Sequence, residues 1–283
     1  MVHNYKLHGI KDYIARSFLY FFMAVIFCIS VMPLLWIVLS SFKTNAEIIG
    51  NPMGFPSSWS FDGYRAAFEI APLSKFYVNS MIITLLSMVG NVFLISLSSY
   101  VVAMFNFKAK PLVVAMFSLS LLIPMTALIH PVYILVNNLK LTDTKAGLIF
   151  VYISLGFPTT FFIMRGYFCS IPRGIMEASC IDGANFFDTY FRIALPVARP
   201  GLATAAILQF IMAWNEFLYA LVLTSSERAR TLPLATNYFK SQFSYNYTAM
   251  FAAITVIVLP SIIIYIMLQK QVVDSLTAGS IKG

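Results

Sequence analysis

Charged side chains make up only 11% of the 283 residues, so the few that fall in or beside apolar runs are the first candidates for chemistry. Glu216 stands in Trp214-Asn215-Glu216 near the end of a long apolar run. A carboxylate inside a membrane is costly and marks a solute or ion path by default; the competing reading puts it near the interface, capped by water or a neighbouring helix. Asn215 divides evenly between solute contact and structure. His130 precedes Pro131, where a neutral imidazole is ordinarily a hydrogen-bonded packing residue and solute contact is the alternative. Asn79 and Ser80 open another apolar run and carry the same pair of readings. Glu177 and Asp182-Gly183 lie together in a polar stretch.

What is missing narrows the chemistry further. There is no Gly-rich loop ending in Gly-Lys-Ser/Thr to cradle a phosphate, no His/Glu zinc motif on a helix, no nucleophile elbow and no second intramembrane carboxylate to pair with Glu216. No residue is assigned as catalytic and none as a metal ligand. Cys28, Cys169 and Cys180 have neither disulfide nor metal spacing and are read as free thiols. Such a chain can pass a solute along polar side chains, but the energy must come from a partner.

With 59% hydrophobic residues, the composition excludes an ordinary soluble domain and predicts an all-α polytopic membrane protein. A cytoplasmic tail, 1–16, precedes a six-span domain over 17–270, and a cytoplasmic tail follows over 271–283. The spans are predicted at about 17–42, 76–107, 112–139, 147–164, 201–224 and 247–269, each near or above the roughly 20 residues a spanning helix needs. Pro33 and Pro260 fall inside the first and last and are expected to kink them. Residues 43–75 and 225–246 are external connections, and Leu141-Thr142-Asp143-Thr144 is a tight external turn.

With both termini inside, eleven of the 19 Lys and Arg residues face the cytoplasm and eight the outside. The excess runs in the direction of the positive-inside rule. The net charge of +8 is read as holding loops inside rather than as a nucleic-acid footprint.

One polar island, 171–200, interrupts the apolar chain. Pro172 suits the first turn of a short amphipathic helix, Gly174 to Ile181, with Ile175, Met176, Ala178 and Cys180 among polar neighbours. Asp182-Gly183 suits a turn with positive φ, and a second helix is expected from Ala184 to Ile193. Pro196 and Pro200 then fix the direction of the returning chain.

These residues carry a resemblance. Glu177-Ala178-Ser179-Cys180-Ile181-Asp182-Gly183-Ala184, followed by Ile193-Ala194-Leu195-Pro196 and Pro200, resembles the EAA loop of ATP-binding-cassette importer permeases. Ser179 stands where that motif has its second alanine, a departure small enough for the same packing. Trp214-Asn215-Glu216, Thr231-Leu232-Pro233 and the ending from Gln269-Lys270-Gln271 through Leu276 to Gly283 are similar to the maltose-type carbohydrate permeases.

The resemblance implies a type I importer transmembrane fold in a bacterial inner membrane, with two ATPase subunits, a second permease subunit, an extracellular solute-binding protein and a sugar as partners. ATP and Mg would be used by the ATPases and not by this chain. It implies ATPase coupling through Ile175, Met176, Glu177, Ala178, Ser179, Ile181, Asp182, Gly183 and Ala184, with Ile175, Met176 and Ile181 buried in the ATPase socket. It also implies an ATPase contact through the tail residues Thr277, Gly279, Lys282 and Gly283. Asn79, Ser80, His130, Asn215 and Glu216 are the candidates for a translocation path. An importer of a non-sugar solute, a secondary transporter and a channel are the alternatives.

Overall fold

The computed structural model describes residues 10–239 and 246–280, which are mostly helical with no strand among them. In chain order the helices are α1 (Ile10–Ser40), α2 (Asn45–Gly50), α3 (Asp62–Ile70), α4 (Leu73–Met104), α5 (Lys110–Leu122), α6 (Ile129–Asn138), α7 (Lys145–Leu155), α8 (Phe157–Cys169), α9 (Arg173–Ile181), α10 (Phe186–Asp188), α11 (Leu195–Val197), α12 (Arg199–Asn215), α13 (Leu218–Leu223) and α14 (Tyr247–Ser280). Three long helices, or stretches of them, are apolar enough to cross a membrane alone: Arg16–Ser40, Leu73–Met104 and Tyr247–Met267. Three further bent pairs qualify as broken spans or re-entrant loops.

The described residues divide into two compact units. The first runs to Ile70 and takes in Phe239–Val256. Its long helix α1 continues through Pro33, and its apolar stretch has no buried residue over the window that would span. Below it the chain is tied by a capping box. Thr44 Oγ1 accepts the Glu47 N–H at 3.3 Å, and Glu47 Oε2 accepts the Thr44 N–H at 2.8 Å. The Ser57 hydroxyl and the Thr44 and Ser57 N–H groups hold the Glu47 carboxyl down to about 2. Lys43 is buried, and its ammonium donates to the carbonyls of Asn51 and Pro52 at 3.2 and 2.9 Å.

The second unit takes Ala71–Tyr238 and Ile257 onward. Its spine is α4, which packs on α7, α8 and α12. The face α4 buries is polar as well as apolar: Asn79, Ser80, Thr84, Ser87, Asn91, Ser96 and Ser99 are all buried. Small polar residues let helix backbones approach in the absence of a hydrophobic drive between them.

Three stretches expected as single spans are broken. Residues 112–139 form α5 and α6, bent by 98° around a 3-10 turn, Met125–Leu128. Pro124 has no N–H to continue α5. Residues 147–164 fall on α7 and α8, bent by 48° at Gly156, because Pro158 cannot donate to the turn before it. Residues 201–224 form α12 and α13, and Glu216 sits between them with extended backbone, φ −67° and ψ 128°. The last helix continues through Pro260 to Ser280, beyond the expected end of its span.

Candidate functional site

The polar island is built on α9. Its C-terminus closes by backbone bonds from Asp182 N–H to Ala178 O at 2.9 Å and from Ala184 N–H to Ser179 O at 3.0 Å. Between them Gly183 takes φ +79°, the left-handed residue that lets the last carbonyls find donors. Asn185 then caps the next helix, its Oδ1 accepting the Asp188 N–H at 2.9 Å. The second helix begins at Phe186 rather than Ala184. It widens into a π-turn over Thr189–Ala194 and runs through α11, ending in a bend of 78° before α12.

The island is keyed into the unit beneath it by its π-turn. Tyr190 is buried there and its hydroxyl is hydrogen-bonded to that of Ser96 on α4. Its ring lies 5.1 Å from Tyr100 of α4 and 6.4 Å from Phe168 of α8. On α9, Met176 packs against this same cluster, and Ser179 is buried with its hydroxyl donating to Met176 O at 2.7 Å. The opposite side of α9 is open: Ile175 is 43% and Ile181 86% exposed, and Glu177, Ala178, Asp182 and Gly183 are exposed with them.

Met176 therefore faces its own chain, whereas the sequence reading set it beside Ile175 and Ile181 for burial in a partner. A cavity of about 700 Å³ lies beside α9, lined by Tyr100, Met104, Phe168, Met176, Glu177 and Phe186 among others. Ala184 is half-buried at its edge.

The candidate path residues separate into two groups. Asn79 donates to the carbonyls of Glu227 and Arg230 at 3.0 and 2.9 Å, and Ser80 accepts the Leu232 N–H at 2.7 Å. Both side chains are buried in pinning the 225–232 connection. His130 is exposed on α6. Asn215 is exposed, donating to Ile211 O at 2.9 Å and accepting from the Ser261 hydroxyl at 3.3 Å.

Glu216 is half-buried and serves as the cap of α13. Its Oε1 accepts the Tyr219 N–H at 2.7 Å, and its Oε2 accepts the Ala220 N–H at 3.0 Å and the Tyr152 hydroxyl at 2.7 Å. Thr277 and Gly279 lie on α14, and Lys282 and Gly283 lie outside the described residues.

Two anchors escaped the sequence reading. Asp143, at φ 55°, accepts the N–H groups of Ser225 and Ser226 at 2.9 and 2.8 Å and pairs with Arg228 at 3.4 Å. Partial burial pushes its carboxyl up, but the Ser226 and Ser225 donors and Arg228 outweigh that and hold it down to about 2. The signal was present as a lone acid in a turn, a residue type that tolerates positive φ. Gln209 is buried in α12 and donates to Tyr152 O at 2.8 Å; nothing in its apolar sequence context distinguishes it.

Residues 93–277 match the family described as binding-protein-dependent transport system inner membrane component. The chain is 32% identical to the diacetylchitobiose uptake system permease protein NgcG of Streptomyces coelicolor, over 90% of this chain and 85% of that one. It is 34% identical to the trehalose transport system permease protein SugB of Mycobacterium tuberculosis, over 90% of this chain and 93% of that one. Its fold matches a chain in the crystal structure of a bacterial ABC transporter involved in the import of the acidic polysaccharide alginate. There the TM-score is 0.81 and the identity 21%, over 93% of this chain and 98% of that one. The chain belongs to the family of inner membrane components of binding-protein-dependent transport systems, and is a multi-pass, helical ABC importer permease.

Proposed function

We propose that this permease forms half of the path for a sugar, of the oligosaccharide or polyol class, handed over by an extracellular binding protein and driven by two partner ATPases. The observation that carries the coupling assignment is the two-sidedness of α9. Met176 and Ser179 are locked into the chain's own core, while Ile175, Glu177, Ala178, Ile181 and Asp182 are presented outward. A short helix held so firmly on one side can transmit a push received on the other. Glu177 makes the polar contact with the ATPase, Ile175 and Ile181 fill its apolar socket, and Gly183 with Ala184 sets the angle to the following helix. Thr277, Gly279, Lys282 and Gly283 reach the ATPases from the tail.

The sugar class is supported by the names of relatives, which include permeases for diacetylchitobiose, trehalose and starch degradation products. Both termini lie in the cytoplasm of a bacterial cell, and a second permease subunit completes the path. ATP and Mg are consumed by the ATPases, and this chain is not itself an enzyme. Of the path candidates, Asn215 and His130 keep exposed polar groups for a sugar hydroxyl, whereas Asn79, Ser80 and Glu216 are occupied by backbone partners.

The test is purification of the chain from gently solubilised native membranes, followed by ATPase assays with the binding protein and a panel of sugars. An ATPase pair and a second permease should accompany it, and one sugar should stimulate hydrolysis. Substituting Glu177→Ala or Gly183→Val should separate hydrolysis from uptake. Recovery of the chain without an ATPase, or wild-type uptake in both variants, would remove the coupling assignment.

A further inference from the structure

The three broken stretches are satisfied in series. Where α7 stops at Gly156, the carbonyls of Tyr152 and Ile153 lose helical donors. Gln209 of α12 donates to the first at 2.8 Å and Asn91 of α4 to the second at 2.7 Å, with Asn91 itself fixed by the Thr160 hydroxyl at 2.6 Å. The hydroxyl of the same Tyr152 donates to Glu216, which caps the break between α12 and α13. From α13, the hydroxyl of Tyr219 donates at 2.7 Å to the carbonyl of Met125, in the break between α5 and α6.

Each break thus draws at least one group from another element, and Tyr152 takes part twice, through its carbonyl and through its hydroxyl. Irregular backbone in a membrane is tolerated only where its polar groups find such partners. Glu216 has no ion pair among the described residues. Its carboxyl accepts two N–H groups at the start of α13 and the Tyr152 hydroxyl. Losing the hydroxyl strips one of three donors from a half-buried carboxylate and loosens the helix that holds Met125.

We propose that Tyr152 is a positioning residue for translocation: through Glu216 and Tyr219 it ties the breaks at Gly156, Glu216 and Met125 into one linkage that shifts as a unit when the permease changes its facing. This rests on the permease reading above. The Tyr152 hydroxyl is the joint, Glu216 is the hub held at that joint, and Tyr219 carries the displacement to the α5–α6 break. Neither tyrosine needs to touch the solute.

Spin labels on Phe150→Cys paired with Leu221→Cys, and on Leu122→Cys paired with Leu221→Cys, report the two joints, since all three side chains are exposed. The full chain is used in lipid nanodiscs, with Cys28, Cys169 and Cys180 replaced by serine. Narrow distance distributions are expected for the parent. Tyr152→Phe and Tyr219→Phe, which each remove one hydroxyl, should each broaden both distributions. In the assembled importer, Tyr152→Phe should lower sugar taken up per ATP hydrolysed by about tenfold, the factor of one charge-assisted hydrogen bond. Because Glu216→Ala removes the acceptor at the same joint, adding Tyr152→Phe to it should cost nothing further.

Broadening confined to the joint that each variant touches would show three independent caps and overturn the proposal. So would a loss of uptake that only follows a loss of protein from the membrane, with uptake per ATP unchanged. The label distances need no ATPase, so they decide the linkage even if the assembly fails to hydrolyse ATP in response to a sugar. That failure counts against the permease reading alone.

Discussion

Replacing Gly156 with alanine isolates the packing at one break. Its φ of −83° and ψ of −5° suit any residue, so the backbone offers no objection, and loss of unfolded-state freedom alone would stabilise the variant by about 0.4–1 kcal/mol. The new methyl, however, would sit 1.7 Å from Gln209 Oε1 and 2.9 Å from Asn91 Nδ2. Side-chain amides can swing away in principle, yet both are buried and both donate to carbonyls that α7 has left open.

Releasing one such bond in a membrane protein costs about 0.6–1.7 kcal/mol. Forcing an extra methyl into a packed site adds roughly 1–3 kcal/mol. The clash therefore dominates, and the net expectation is a loss of about 1–4 kcal/mol, read as the midpoint shift in reversible unfolding from mixed micelles. Truncating Gln209→Ala first removes the nearer of the two colliding amides and opens the space into which the Asn91 amide can shift. In that background Gly156→Ala should cost under about 1 kcal/mol, giving a coupling of roughly 2 kcal/mol between positions 53 apart in sequence. Equal costs in the two backgrounds, within about 0.5 kcal/mol, would refute the reasoning.

Other outcomes follow from the island and the external turn. Ser179→Ala should be tolerated, within about 1 kcal/mol, since its hydroxyl serves mainly its own helix. Ser179→Leu should cost more in unfolding midpoint and in uptake, because the site is buried against Thr189. Gly183→Ala meets no atom within 4 Å, so its cost is the left-handed backbone alone, about 1–2 kcal/mol, and uptake should fall while membrane level is kept. The Asp143 carboxyl is lowered from 3.8 to about 2, so its clasp on Ser225 and Ser226 is complete above pH 3.8 and is lost as pH falls through 2. Protection of those two amides, taken against the intrinsic exchange rate at each pH, should fall across that window, and Asp143→Asn should flatten the response.

Helical character could be read from composition, and family membership from the Glu177–Pro200 pattern. The breaks could not. Hydropathy is blind to the first, since 112–139 stays apolar across the positions where α5 stops, and in 201–224 the polar pair Asn215-Glu216 marks the place without saying that the helix ends there. Pro124 and Pro158 were the available signals, but a proline in a transmembrane stretch need not end a helix, and α1 and α14 continue through Pro33 and Pro260. Which side of α9 meets a partner was equally out of reach. Met176 and Ile175 are adjacent and chemically alike, and only the placement of Tyr100, Phe168 and Tyr190 decides that Met176 turns inward. Glu216 was legible as unusual, and its use as a cap required knowing that the chain leaves the helix there.

The segment Arg16–Ser40 is long and apolar enough to cross a membrane, with a mean hydropathy of 2.7 and none of its window buried in the chain it belongs to. Its place in a bilayer is accordingly set by transfer into lipid and by whatever neighbour covers it, not by fit to its own core. Such a helix can enter the membrane as soon as it emerges during synthesis, before anything it must pack against exists. Along most of its length selection acts on greasiness and length rather than on shape, so Phe, Leu, Ile and Met should exchange there at little cost to folding. The same exchanges around Gly156 would not be forgiven.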